Sequence, residues 1–253
     1  MEMKENMPSH VYKYRRWDNN FHKHILENSE LFFSDPRDFD DPLDCNPPID
    51  YPKGHDLFIY ILNYSFLHNN YNYVEHVIFA SNMYKRSPLA FPDELKKVKE
   101  KMDNDFNNHF GVLSLTKDCF NDYMWNEYSN NHEGFCVGFD TQILFDSFKG
   151  GCGSVLYKDP LPTIDFAKDS LDVKIFKTVY CKEKKWENEK EFRFHKYWLS
   201  EETVNRNCKF PTNAIVEIII GTNMSCKYKD DLVNIVKYKY PLAVLREENG
   251  NKI

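Results

Sequence analysis

The chain of 253 residues carries 33 Lys and Arg against 39 Asp and Glu, a net charge of −6, with 42% hydrophobic and 16% aromatic residues. That length suits one large domain with a substantial core. The mildly acidic balance disfavours a globally basic nucleic-acid binder, although a local basic groove stays open. Seven cysteines, odd in number and without a CxxC pair, point to reduced thiols rather than a disulfide framework or zinc ribbon. No apolar run reaches the roughly 18 residues of a membrane span. The N-terminal "MEMKENMPSH" carries no apolar signal region, so the expectation is a soluble, cytoplasmic protein.

In chain order, "HVYKYRRW" alternates as a first strand, with Val11, Lys13 and Arg15 on one face and Tyr12, Tyr14 and Arg16 on the other. Asp18 reads as the N-cap of a short helix, "NNFHKHILEN", with Phe21 and Ile25 on one stripe and Asn28 as its stop. "ELFFS" follows as a strand, and "DPRDFDDPLDCNPP" as a proline-punctuated loop. Residues 57–85 and 92–109 read as mainly helical, the second with Leu95, Val98 and Met102 at helical spacing after a Pro-Asp start.

The second half is richer in strands. "GVLSLTK", "GFCVGFD", "GSVLYKD", "EFRFHKYWL", "AIVEIIIG" and "AVLRE" all read as extended; "CFNDYMWNEYSNNHE" reads as a short helix or broken turn, and "KYKDDLVNIVKY" as a helix. Helices early and strands late give an α+β class rather than a doubly wound sheet. A single domain over 1–253 with a helical insertion near 50–110 is the simplest parse.

The dinucleotide fingerprint and the Walker A loop are both absent, because "GGCGSVL" has Leu156 where a third glycine is needed. No HExxH or paired CxxC supplies a metal site, and none is expected. "KKWENEKEFRF" is the distinctive stretch. Read as a strand, it sets Glu189, Glu191 and Arg193 on one face, the two carboxylates about 6.6–6.8 Å apart. Like charges on one face cost free energy unless something cationic or a substrate meets them. A solvated face with Arg193 as counter-ion is the plain alternative.

Four segments in order, "VYKYRRW", "LFFSDPRDFDDPLD", "LSLTKDCFNDYMWNEYSNNHEGFCVGFD" and "KKWENEKEFRF", resemble the family called domain of unknown function 2971. One departure is Phe39-Asp40-Asp41-Pro42, where that family has Phe-Asn-Asp-Pro. More distantly, the order of residue types resembles ADP-ribosyltransferases: Arg15 on a first strand, Ser114 and Thr116 on a later one, then Glu189 and Glu191. That resemblance implies a mixed or antiparallel split-sheet core and transfer of ADP-ribose from NAD to a protein or nucleic acid, as in a bacterial toxin or antiphage effector.

In the same terms, Glu191 would stabilise the oxocarbenium-like transition state and Glu189 would orient or deprotonate the acceptor. Arg15 would meet the pyrophosphate. Ser114 or Thr116 would bond the ribose or support Glu191, and Trp125, Tyr128 and His132 would line the nicotinamide or acceptor side. Two other readings stand beside this one. The first is a non-catalytic module that binds a nucleotide or a protein. The second is a metal-dependent nuclease using Asp38, Asp40, Asp41 and Asp44.

Overall fold

A computed structural model describes residues 7–199 and 203–253. Its centre is a seven-stranded mixed sheet in the order β13-β12-β5-β1-β4-β10-β6. The strands are β1 (His10–Arg15), β4 (Phe110–Thr116), β5 (Phe135–Asp140), β6 (Gly151–Ser154), β10 (Glu191–Tyr197), β12 (Ile215–Ile220) and β13 (Val244–Glu247). All pairs in the sheet are antiparallel except β12 with β13. Three two-stranded ladders flank it: β2 (Glu30–Phe32) with β11 (Asn207–Lys209), β3 (Ile49–Asp50) with β8 (Ile164–Asp165), and β7 (Leu156–Lys158) with β9 (Cys181–Glu183). The class is α+β, and no helix among the described residues is long and apolar enough to cross a membrane.

Alternation along the strands sorts the two faces. Phe192 and Phe194 of β10, Leu113 and Leu115 of β4, and Phe135, Val137 and Phe139 of β5 share one continuous apolar cluster. Helices α1 (Asn20–Glu27), α6 (Thr141–Phe148) and α8 (Cys226–Lys239) cover it with Ile25, Leu26, Leu144, Phe148, Leu232 and Val236. On the other face, α5 (Asp122–Tyr128) brings Met124 and Trp125 onto Tyr14, Cys136 and Ile219. A separate cluster of Phe110, Val112, Val179 and Tyr180 forms under α7 (Leu171–Val179).

The sheet is nearly divided in two. β1 and β5 match along six residue pairs, whereas β1 and β4 share one, Tyr12 with Thr116. Past that pair the strands part, and Ser34 takes up pairing with β4 through Ser34–Val112 backbone hydrogen bonds of 2.8 and 3.0 Å. In the gap between, the Lys13 ammonium donates to the Ser114 carbonyl. Strand pairing between β1 and β4 thus rests on a single residue pair.

Several expected elements fall differently. The mainly helical stretch expected over 57–85 consists of two helices, α2 (Gly54–His68) and α3 (Tyr73–Arg86), because Asn72 closes a capping box with Glu75 and starts a new helix. α4 (Pro92–His109) matches its expected range. Asn19, not Asp18, caps α1, and Phe21 faces solvent while Ile25 is buried. "GSVLYKD" breaks at Val155 into β6 and β7, which belong to different sheets. α6 and α7 are additional helices of 8 and 9 residues.

The largest correction concerns Glu189. It ends a 3-10 segment, Lys184–Glu189, and Lys190 turns the chain at φ +48° before β10 begins at Glu191. The two glutamates therefore do not share a strand face.

Candidate functional site

A cavity of about 250 Å³ opens where β1 and β4 part, lined by both strands, by the 38–44 loop and by Lys182, Trp186, Glu189 and Glu191. The 3-10 segment and the Lys190 turn bring Glu189 to the cavity from above the sheet, while Glu191 rises from the sheet itself. Thr116 is buried and helps to secure that turn: its hydroxyl donates to the Lys190 carbonyl at 3.4 Å, and the Lys117 amide donates to the same carbonyl at 3.3 Å. Asn121 holds the preceding residue, donating to the Asn188 carbonyl at 2.6 Å.

Both glutamates are buried, and the Lys182 ammonium lies between them, 2.5 Å from Glu189 Oε2 and 2.7 Å from Glu191 Oε1. Tyr128 donates to the other oxygen of Glu189 at 2.5 Å. Arg193, with no exposed surface, donates from Nε to Glu191 Oε2 at 2.7 Å and from Nη2 to Oε1 at 3.0 Å. Its two terminal nitrogens grip Asp44 bidentately, both at 2.7 Å, and Nη1 also reaches the Val179 carbonyl at 3.0 Å. A buried charge is tolerable only when paired and hydrogen-bonded in this way.

The two carboxyls are thereby set apart. Burial, reinforced by the neighbouring Glu191, pushes Glu189 up to about 7, against the pull of Lys182. Burial would also raise Glu191, but Arg193 and Lys182 overcome it and hold that carboxyl well below the usual range. Two carboxyls driven in opposite directions are the usual mark of an acid–base pair. Lys182 rises despite burial, because Glu191, Asp44 and Glu189 all favour its charge.

Strand β1 adds two cations to the lining. Arg15 and Lys13 are half-buried, and neither lies within salt-bridge distance of a carboxylate among the described residues. Arg15 makes one long bond to the Tyr14 carbonyl at 3.4 Å, and burial lowers it to about 10. Lys13 is lowered as well, first by burial and then by Arg15. Glu191 and Glu189 offset part of the penalty on Lys13, and an anionic ligand would relieve more of it for both cations.

Arg15, Ser114, Tyr128, Glu189 and Glu191 thus all line one cavity. Thr116 is a buried support for the turn rather than part of the lining. Trp125 is packed in the apolar layer, edge-on to Tyr14 at 4.9 Å, with its indole N–H on the Cys119 carbonyl at 3.2 Å. His132 stacks on the far side of Trp125, and its Nδ1 lies 2.8 Å from Glu248. It organises the C-terminal loop, away from the cavity.

The acidic loop also has a structural occupation. Asp41 accepts the Trp186 indole N–H at 2.7 Å, and Asp44 is held by Arg193 and approached by Lys182 at 3.4 Å. No group of three or more His, Cys, Asp or Glu able to hold a metal ion is found among the described residues. Lys182 and Lys13 are the site residues that sequence reasoning did not reach, and Asp44, weighed there as a metal ligand, turns out to be a partner of Arg193. Lys182 sits in a lysine-rich run with nothing local to mark it, and Asp44 meets Arg193 across 149 positions of chain.

Residues 124–194 match the family model described as "Protein of unknown function (DUF2971)". The matched segment carries Tyr128, Lys182, Glu189, Glu191 and Arg193, while β1, the 38–44 loop and Ser114 lie outside it. No curated protein and no solved structure matches the chain.

Proposed function

We propose that the cavity receives the nicotinamide–ribose end of NAD and that the protein transfers ADP-ribose to a macromolecular acceptor. The observation that supports this reading is the presence of both charges in one cavity. Arg15 and Lys13, with no carboxylate in salt-bridge distance among the described residues, line it together with Glu189 and Glu191. NAD presents both charges as well, an anionic pyrophosphate and a cationic nicotinamide ring. A volume of about 250 Å³ suits one end of a dinucleotide rather than the whole, leaving the remainder along the open mouth.

In the proposed reaction the bond between the ribose C1′ and the nicotinamide nitrogen breaks, and its electron pair leaves with neutral nicotinamide. The acceptor's lone pair forms the new bond at C1′, and the acceptor's proton passes to Glu189. A base is most effective when its affinity for protons is close to ambient pH, which fits Glu189 and not Glu191. Glu191 contributes fixed negative charge near the developing oxocarbenium, with Lys182 and Arg193 holding it in place. Tyr128 and Lys182 orient Glu189.

Incubation with labelled NAD and cell extract tests the reading. The wild-type chain is expected to label protein or nucleic acid, and Glu189→Gln to reduce labelling by about 10²–10⁴-fold with the folded state retained. Absence of both label transfer and nicotinamide release would reject it. A second reading, a ligand-binding module, is favoured by one observation: every oxygen of Glu189 and Glu191 already has a protein partner. It predicts NAD retention without cleavage, weakened by Arg15→Ala and indifferent to Glu189→Gln.

A further inference from the structure

The helical insertion leaves a surface that its own chain does not cover. In α2, six consecutive apolar residues, Leu57–Leu62, point in every direction around the axis at 100° per residue. A helix apolar on all sides belongs in an interior. Yet Leu57 and Ser65 alone are buried in α2, and His76 and Ala80 alone in α3. The two helices hold each other through a buried Ser65–His76 hydrogen bond of 2.8 Å and a Phe66–His76 ring contact at 4.1 Å. Outside that seam, Leu67 is 80% exposed, Tyr73 70%, Val74 63% and Ile78 55%.

Charge narrows what fits there. Between Gly54 and Tyr84 there is no Lys or Arg, and the only carboxylates are Asp56 and Glu75. Nucleic acid and anionic lipid both require cations at the contact, so this surface suits an apolar protein face. Nine large apolar side chains from Ile59 to Met83 are exposed. At on the order of 100 Å² each they expose roughly 900 Å², against about 800 Å² per partner in a standard stable interface. Summed over the two helices, this exposed apolar area matches one partner's share of a standard interface.

We propose that the α2–α3 hairpin is the interface of a two-fold dimer of this chain. A two-fold operator sets the same patch against itself. Two hairpins brought together in this way form a four-helix bundle, in which helices apolar on several sides become interior. The interface is independent of the cavity chemistry.

Sedimentation of the full chain across a micromolar concentration series tests it. The expected result is a reversible monomer–dimer equilibrium, shifted to monomer by the double change Leu67→Glu and Ile78→Glu, with wild-type circular dichroism. Lys97→Glu, on the exposed surface of α4, is expected to leave the dimer intact. A wild-type chain monomeric at every concentration would overturn the proposal. So would a dimer that survives the double change, one equally lost with Lys97→Glu, or co-sedimentation of monomer with phosphatidylcholine vesicles. Should the double variant misfold, the wild-type concentration dependence and the single change Ile78→Glu still decide the matter.

Discussion

On one face of the seven-stranded sheet, apolar side chains from all seven strands and three helices form a single continuous cluster. On the other, apolar packing is divided into two small clusters, and the ground around and between them is held by Arg193, Glu191, Lys182, Asp44 and Glu189. Both faces come from the same strands, with Phe192 and Phe194 pointing one way and Glu191 and Arg193 the other. A fully apolar second face would have been simpler to stabilise, because buried ion pairs often contribute no more than well-packed hydrophobes. A buried charged network beside a cavity is therefore a candidate functional site rather than a device for stability.

Removing Arg193 should break the comparison most severely. Arg193→Ala leaves Asp44 and Glu191 buried against a reduced counter-charge, at an expected cost of about 3–5 kcal/mol in urea unfolding. Phe194→Ala, its neighbour on the apolar face, should cost a similar amount, about 3–5 kcal/mol. The two differ in their pH dependence. Glu191, held low in the folded chain, contributes stability that is present above the ordinary carboxylate value and lost as pH falls through its folded value. The Arg193→Ala deficit should therefore shrink in acid, while the Phe194→Ala deficit stays level.

Glu189 titrates with the opposite sign. Its raised carboxyl contributes stability that is present below the unfolded value and lost as pH rises through about 7. Glu189→Gln should accordingly gain stability relative to wild type between about pH 5 and 8, as followed by thermal unfolding. If the proposed transfer occurs, its rate should climb through the same window in wild type and be flat in the variant. Tyr128→Phe is a finer probe. It removes one hydrogen bond to a charged group, worth about 1.5–3 kcal/mol when buried, and should move the Glu189 titration upward in NMR. The smallest effect belongs to the insertion: Asn72→Ala removes the cap of α3, at about 1 kcal/mol.

The sheet was the legible part of this chain. β1, β4, β5, β10 and β12 each carry enough alternating apolar residues for their period to be read directly. α6 and α7 escaped because 8 or 9 residues give barely two turns of periodicity. The two glutamates were visible as a pair, and Arg193 as their counter-ion, because all three are close in sequence. The strand reading of Glu189 failed because Lys190 adopts a left-handed conformation, for which a lysine gives no signal. Lys182 was out of reach, and Asp44 was visible only as a possible metal ligand, for another reason: a lysine and a loop carboxylate acquire their roles only from what the fold sets against them. Trp125 and His132 show the reverse error, being chemically suggestive residues absorbed by packing and by the C-terminal loop.

The lone pairing of Tyr12 with Thr116 has a consequence for motion. The ladder between β1 and β4 stops after one pair while the apolar cluster beneath runs on unbroken, so the β4 amides that face the gap should exchange faster than those bonded to β10.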